Sequence, residues 1–440
     1  TLERDLLEAT QTWDEKVTHI SETNGIDDGG LLHRLAALPQ SYKEDFAPEV
    51  ALADLGRLEG LGEDDVAVHL YRDESSEAAD TDRRLKVYRS GPATLSDLLP
   101  VFTDFGLEVI DERPYHLRDD AAATRIYDFG LRAASAELWE GAEGDAEAVA
   151  QRFEETFSAT WSGAAESDLL NALSLTAGLS WRQVVILRTY ARYLRQAGSH
   201  FSLPYIEGAM TANPKVARAF VEAFEARFDP AREGSVEERR EVSEESLTEL
   251  GRLLDDVASL DHDRIIRGLV EVLRGTLRTN FYVADAEGEP KPFVSLKLSP
   301  RDIELLPQPR PMFEIWVYGP SVEGVHLRFG TVARGGLRWS DRREDFRTEV
   351  LGLVKAQMVK NAVIVPTGSK GGFFAKQLPD PTVDRGAWVE EGKRAYTRFI
   401  SGMLDVTDNL VEGEVVPARD VVRHDEDDTY LVVALSLIHI

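Results

Sequence analysis

The sequence has no cysteine in 440 residues and only four methionines. Without cysteine there are no disulfides and no thiolate zinc sites, which suits a cytoplasmic protein. No apolar run reaches the roughly 18 residues of a transmembrane helix. No signal-peptide pattern opens the chain. Positive charge is scarce: 50 Lys and Arg against 78 Asp and Glu leave a net charge of −28. That balance argues against nucleic acid or an anionic membrane as a partner. No G-x-G-x-x-G occurs, so the dinucleotide fingerprint is missing. Tandem repeats are absent as well.

What is present fits a large, multi-domain α/β (α+β) protein. With 43% hydrophobic residues the chain can bury sizeable cores, and its length suggests roughly two to four domains. Leu2–Ile20 and Gly30–Leu38 have helical spacing, and residues 1–60 read as the end of a preceding region. From Asp65 the pattern alternates. Val66–Tyr71 and Arg84–Tyr88 read as strands, and a helix follows with Thr94 at its N-cap. Gly106 stops that helix as a C′ glycine, and Leu107–Arg113 and Thr124–Leu131 are two more strands. Residues 61–134 thus resemble an ACT-type module, either ligand-binding or a plain structural layer. Residues 135–279 read as a helical region. Its helices are expected at Ser180–Gln196, Pro214–Phe228, Ser246–Leu260 and Asp263–Leu277. Arg232–Glu245 reads as an exposed, charge-rich connection. Strand spacing returns at Phe281–Ala284, Phe293–Leu298, Phe313–Tyr318 and Val325–Phe329, with a turn at Gly319–Gly324.

The rest is organised around Thr331–Asp380. Two cationic glycine-rich loops, Arg334-Gly335-Gly336-Leu337-Arg338 and Ser369-Lys370-Gly371-Gly372, flank an amphipathic helix expected over Asp341–Lys360. Asp341 and Glu344 make a capped start for it. Gln357 and Lys360 fall on one face of its last turn. A strand over Asn361–Val365 leads into the second loop, and a helix over Arg385–Leu404 and a strand over Leu431–Ala434 follow. Thr331–Arg385 carries ten Lys and Arg against six Asp and Glu, a basic island in an acidic chain. Glycine lets backbone approach a ligand closely, and neighbouring cations hold carboxylates. The pattern points to an anionic small-molecule site.

Taken together, Gly335-Gly336-Leu337-Arg338, Gln357-x-x-Lys360, Lys370-Gly371-Gly372 and Val416-Pro417-Ala418-Arg419-Asp420 resemble the glutamate dehydrogenase superfamily. The wording from Ala333 to Pro366 resembles the large bacterial NAD-dependent glutamate dehydrogenases. The likeness is dense from about Phe293 to Ala434 and weaker before it. It implies a substrate domain over 280–434 and an NAD-binding Rossmann domain missing here, expected C-terminal to this chain. Thr1 and the sudden change at Leu435–Ile440 (LSLIHI) fit an internal fragment with an artefactual tail resembling translated sequencing adaptor.

The resemblance also implies roles. Arg334, Gly335, Gly336, Gln357 and Lys360 bind substrate, with Gln357 and Lys360 on its α-carboxylate. Lys370 is the catalytic lysine, its pKa depressed by Lys360 and Arg334. Asp420 shuttles protons, with Asp425 as the runner-up should the alignment slip. The intact enzyme would oxidise L-glutamate to 2-oxoglutarate and ammonia with NAD, as a homo-oligomer, while the fragment alone stays inactive. No metal is expected, since no second ligand cluster accompanies the acidic run after His424. Two alternatives stay open. One is a dehydrogenase of another amino acid, where an apolar residue should replace Arg334. The other is a non-catalytic, ACT-type regulatory protein with no role for Lys370 or Asp420.

Overall fold

The computed structural model describes residues 11–24, 29–62, 65–73, 79–91, 95–117, 124–141, 144–360 and 367–431. Side chains are placed for all of these except 21–24, 29, 95 and 357–360. Several expected features lie outside them: residues 2–10 of the first helix, Thr94, the strand over Asn361–Val365, Val432–Ala434 and the LSLIHI tail. The chain divides into two compact units, Thr1–Gly163 and Ala164–Ile440. Among the described residues no helix is long and apolar enough to cross a membrane.

The first unit is built on a four-stranded antiparallel sheet of β1 (Val66–Tyr71), β2 (Asp82–Arg89), β3 (Glu108–His116) and β4 (Arg125–Arg132), ordered β1-β2-β4-β3. The helix Leu95–Asp104 joins β2 to β3, and Gly106 (φ 73°) supplies the left-handed exit that a side chain resists. One face of the sheet carries Tyr88, Tyr115 and Ile126, packed against Leu35, Tyr42 and Leu55 of the preceding helices. The other face packs Phe129 against Phe102, and Phe102 against Phe157 of the helix Ala146–Trp161. That helix, the first long one of the stretch expected to be helical, therefore belongs to this sheet.

The second unit opens with helices. Trp181–Gln196 starts at a capping box of Ser180 and Gln183, and Pro214–Phe228 has its proline in the first turn. The expected connection Arg232–Glu245 is instead mostly helix, the first half of Val236–Leu254. Ser235 and Glu238 form a capping box there, and buried Arg239 donates to the carbonyl of Asp229. A charge-rich surface had masked a helix start.

Six strands follow: β5 (Thr276–Thr279), β6 (Val294–Leu298), β7 (Phe313–Tyr318), β8 (Val322–Arg328), β9 (Arg334–Trp339) and β10 (Gly368–Ala375). They form one sheet ordered β5-β6-β7-β8-β10-β9. The strand expected at Phe281–Ala284 is not formed; β5 lies upstream, directly after the helix Leu260–Arg274. The turn between β7 and β8 is shorter than expected, closed by Gly319 N donating to Val322 O at 2.8 Å. β9 and β10 run parallel, and the helix Phe346–Lys360 crosses between them. The two segments read as glycine-rich loops are thus adjacent strands. The helix starts at Phe346, not Asp341, because Asp341–Asp345 forms a turn in which Arg342 pairs with Asp345. Trp316 stacks on Phe346 on one face, at 5.9 Å between ring centroids. On the other face Phe399 of the helix Arg385–Asp405 packs against Phe373 at 5.8 Å. A side chain at Gly324 would collide with Phe399, so the glycine sets how closely this helix sits.

Candidate functional site

Pairing β9 with β10 in parallel sets Arg334 beside Gly368, Gly336 beside Lys370, and Arg338 beside Gly372. Side chains two apart on a strand share a face. Arg334, Lys370 and Arg338 therefore project from one face, and each has a glycine as its cross-strand neighbour. Three cations fit side by side because the facing positions are empty. On the opposite face, a side chain at Gly335 would strike the backbone of Ser369, so this strand pair tolerates only glycine there.

β9 is the edge of the sheet, and a cavity of about 520 Å³ opens around it. Arg338, Lys370 and Phe374 line one side, and Trp339 and Trp388 the other, with Ser340 at the turn. Trp388, from the helix Arg385–Asp405, stacks on Trp339 at 4.8 Å and 19°. The cleft thus has a cationic wall and an aromatic wall. Lys370 is half-buried, and among the described residues it has no carboxylate and no hydrogen-bond partner. Burial first, and the Arg338 guanidinium second, push its amine below the usual lysine range. Lys360 and Arg334 were the cations expected to do this; among the described residues it is Arg338, and the Lys360 side chain lies outside them. Arg334 is exposed and does not line the cavity.

Arg338 itself has a counter-ion. Its Nε lies 2.7 Å from Glu349 Oε1, an ion pair held by charge without a directed hydrogen bond. Glu349 Oε2 accepts from Ser340 Oγ at 2.7 Å. Sequence reading missed Arg338, Ser340, Trp339 and Trp388 as site residues. The signal for Arg338 was its place two residues beyond Gly336, on the same strand face. Nothing in the local sequence pointed to Trp388.

The remaining expected residues are not gathered here. Gln357 and Lys360 end the crossover helix, but their side chains lie outside the described residues. Asp420 sits exposed on a loop with φ 56°, its carboxylate 3.0 Å from Arg419 Nε, and does not line the cavity. Asp425 is engaged elsewhere, 2.6 Å from both Arg278 Nε and Lys297 Nζ. Asp428 pairs with Lys297 and Arg328, and buried Asp408 with Arg278 and Arg423. Buried His424 has Nε2 3.1 Å from the Arg227 carbonyl oxygen, and its backbone N–H donates to Leu277 O at 3.0 Å. This acidic run staples the chain after the helix Arg385–Asp405 to β5, β6 and β8.

Family models and curated relatives agree on what the chain resembles. Residues 249–436 match the catalytic domain of bacterial NAD-glutamate dehydrogenase. Residues 165–230 match glutamate dehydrogenase helical motif 3, residues 65–144 its ACT3 domain, and residues 30–61 its helical motif 2. The NAD-specific glutamate dehydrogenase of Halomonas elongata is 45% identical over 98% of this chain. Those of Pseudomonas aeruginosa and Mycobacterium tuberculosis are 44% and 43% identical, also over 98% of the chain. The chain spans only 26–27% of the length of these relatives.

Proposed function

Because the chain belongs to the bacterial NAD-dependent glutamate dehydrogenases, we propose that its second unit is the substrate side of that reaction, the oxidative deamination of L-glutamate to 2-oxoglutarate and ammonia. The observation that carries this reading is Lys370: a half-buried amine with no carboxylate partner among the described residues, pushed toward its neutral form, on the cationic wall of a cleft. A neutral amine there can take a proton from the substrate ammonium or activate water, which a lysine locked to a carboxylate cannot. Arg338 at the cavity wall, and Arg334 on the same strand face but outside the cavity lining, are the cations this reading assigns to the two carboxylates. Gln357 and Lys360 join them on the α-carboxylate, and Asp420 moves protons, as the family motif implies. On this reading the intact protein is a cytoplasmic homo-oligomer whose 61–134 module is regulatory or structural.

NAD is the oxidant in this family's name, and the described residues do not fit it. The one parallel strand pair among them, β9 and β10, connects through a helix whose approach carries Asp341, Glu344 and Asp345. Three carboxylates against two arginines, one of them already paired with Asp345, leave that approach acidic, and among the described residues no glycine-rich turn lies there to cradle a pyrophosphate. We assign no part of the hydride transfer to this chain, and expect no NAD turnover from it alone.

A second reading, an apolar amino acid as substrate, is favoured by the Trp339–Trp388 wall. Calorimetric titration of the chain with 2-oxoglutarate and with a branched apolar 2-oxo acid separates the two. The dicarboxylate should bind more tightly, and Arg334→Leu should weaken it by about 1.5–3 kcal/mol, the scale of a charged hydrogen bond, while sparing the apolar acid. Tighter binding of the apolar acid favours the second reading. Equal losses make Arg334 structural, and heat from neither ligand overturns the assignment of this cleft.

A further inference from the structure

We infer that Glu349 is a positioning residue of the cleft: it holds the Arg338 guanidinium beside Lys370 and keeps its own carboxylate out of reach of the lysine. This rests on the reading of Lys370 as the working amine.

The geometry assigns Glu349 two contacts, and both are on the rim. Its Oε1 faces Arg338 Nε at 2.7 Å, and its Oε2 takes the Ser340 hydroxyl at 2.7 Å. Ser340 is fixed in turn: its N–H donates to Phe373 O at 2.8 Å, and its Oγ accepts from Arg342 N at 3.1 Å. Glu349 also stands in the first turn of the crossover helix, where the helix dipole favours a carboxylate. So the acid is anchored from three directions, by Arg338, Ser340 and its helix.

Arg338 has little else to hold it. Its neighbour on β10 is Gly372, which offers no side chain to pack on, and its own side chain is 35% exposed. An arginine in that position, lacking Glu349, would extend into solvent, where its charge is hydrated and screened. With Glu349 it stays at the cavity wall.

The arrangement separates two jobs that one carboxylate would confuse. A carboxylate touching Lys370 directly would stabilise the ammonium and block its use as a base. Glu349 touches Arg338 and Ser340 but not Lys370, and among the described residues Arg338 is the charge that acts on Lys370. Of the other charged groups nearby, Asp341 lines the cavity at the turn after β9, and Arg334 shares the strand face of Arg338 without lining the cavity. From β8 the paired residue is Leu327, which is apolar.

Competitive acetylation with acetic anhydride, followed by mass spectrometry of the Lys370 peptide, tests this on the chain as it stands. The pH profile reports the fraction of neutral amine at Lys370. Arg338→Met should lower the reactivity of Lys370 near neutral pH by about threefold or more, since losing the like charge favours the ammonium. Glu349→Gln should do the same, because Arg338 leaves the wall, and Glu349→Asp should restore part of the loss. If Arg338 stayed in place, removing Glu349 would bare its charge and raise Lys370 reactivity; that result, or no change, overturns the positioning role. The acetylation profile of Lys297, buried on β6 of the same unit and paired with Asp425 and Asp428, must not move in any variant, which controls for unfolding. Protection of Lys370 by 2-oxoglutarate is a separate arm. Variant shifts without protection would leave Glu349 as a positioning residue and remove the proposed substrate.

Discussion

Lys86 in the first unit and Lys370 in the second both stand on strands of helix-covered sheets, and burial pushes both amines below the usual lysine range. Their surroundings differ in kind. Lys86 is 2% exposed, with Asp54 Oδ2 at 2.5 Å and the ring of Phe46 3.5 Å from its Nζ. Asp54 also accepts from the hydroxyls of Tyr42 and Tyr88. Every polar atom of that cluster is used. Lys370 has a cavity in front of it, an arginine beside it and, among the described residues, no acid of its own. Burial alone therefore does not mark a reactive lysine. A buried lysine with its carboxylate is a fixture of the core; a half-buried one lacking a carboxylate and facing a cavity has a proton it can give up.

The most deeply buried cations, Lys86, Arg188, Arg278 and Arg347, each keep a carboxylate, and the contrast is tested hardest at Arg347. This side chain is 1% exposed, and its Nε and Nη2 each meet a Glu314 oxygen at 2.7 Å. Arginine cannot shed its proton to relieve the loss of a partner. Glu314→Ala should destabilise the second unit by about 3–5 kcal/mol, the scale for leaving one buried charge unpaired. Urea unfolding, followed by hydrogen exchange in β7 and β8, measures it. A loss below about 1 kcal/mol would mean that water reaches Arg347, and the distinction between matched and unmatched cations would lose its force.

Asp54→Ala is the same operation on a lysine, and it should cost less, about 2–3 kcal/mol, because Lys86 can escape by deprotonating. The sign with pH follows. Asp54 stabilises only the ammonium, so the loss is largest where Lys86 is protonated and shrinks as pH rises through its lowered pKa. Unfolding curves of the first unit at neutral and alkaline pH, compared with the parent chain, check this. A loss independent of pH would assign Asp54 to its tyrosine contacts rather than to Lys86.

These two lysines also show what could be read in the sequence and what could not. Lys370 was legible because Lys370-Gly371-Gly372 and the glycines of β9 are local, and a family motif spans them. β7 and the helix Pro214–Phe228 were legible to the residue from their periodicity alone. β9 and β10 were read as loops because glycine carries no strand preference; their pairing is imposed by the parallel crossover. Trp388 and Glu349 escaped for another reason. Each reaches the cleft from a helix on a different face of the sheet, so its role is set by tertiary packing. Arg347 and Glu314 lie 33 positions apart and meet only once β7 and the crossover helix are stacked.

The smallest effect belongs to Lys370 itself, and it has the opposite sign. Its pKa is lowered in the folded chain, chiefly by burial and then by Arg338, so the folded state holds its proton less tightly than the unfolded state does. Between the lowered value and the ordinary one, about 10.4, the unfolded chain binds more protons, and stability rises with pH across that window. Below it both states are protonated, and the folded protein bears the whole disadvantage of an unpaired ammonium beside a guanidinium. Lys370→Met removes that ammonium and keeps most of the stem's bulk. The variant should therefore be slightly more stable than the parent chain at neutral pH, with the advantage fading as pH rises toward 10.4. Thermal unfolding across pH 7 to 10.5 resolves the trend even where the shift at any one pH is small. A variant less stable than the parent at neutral pH would mean that Lys370 has a stabilising partner in the folded chain, and it would then belong with Lys86.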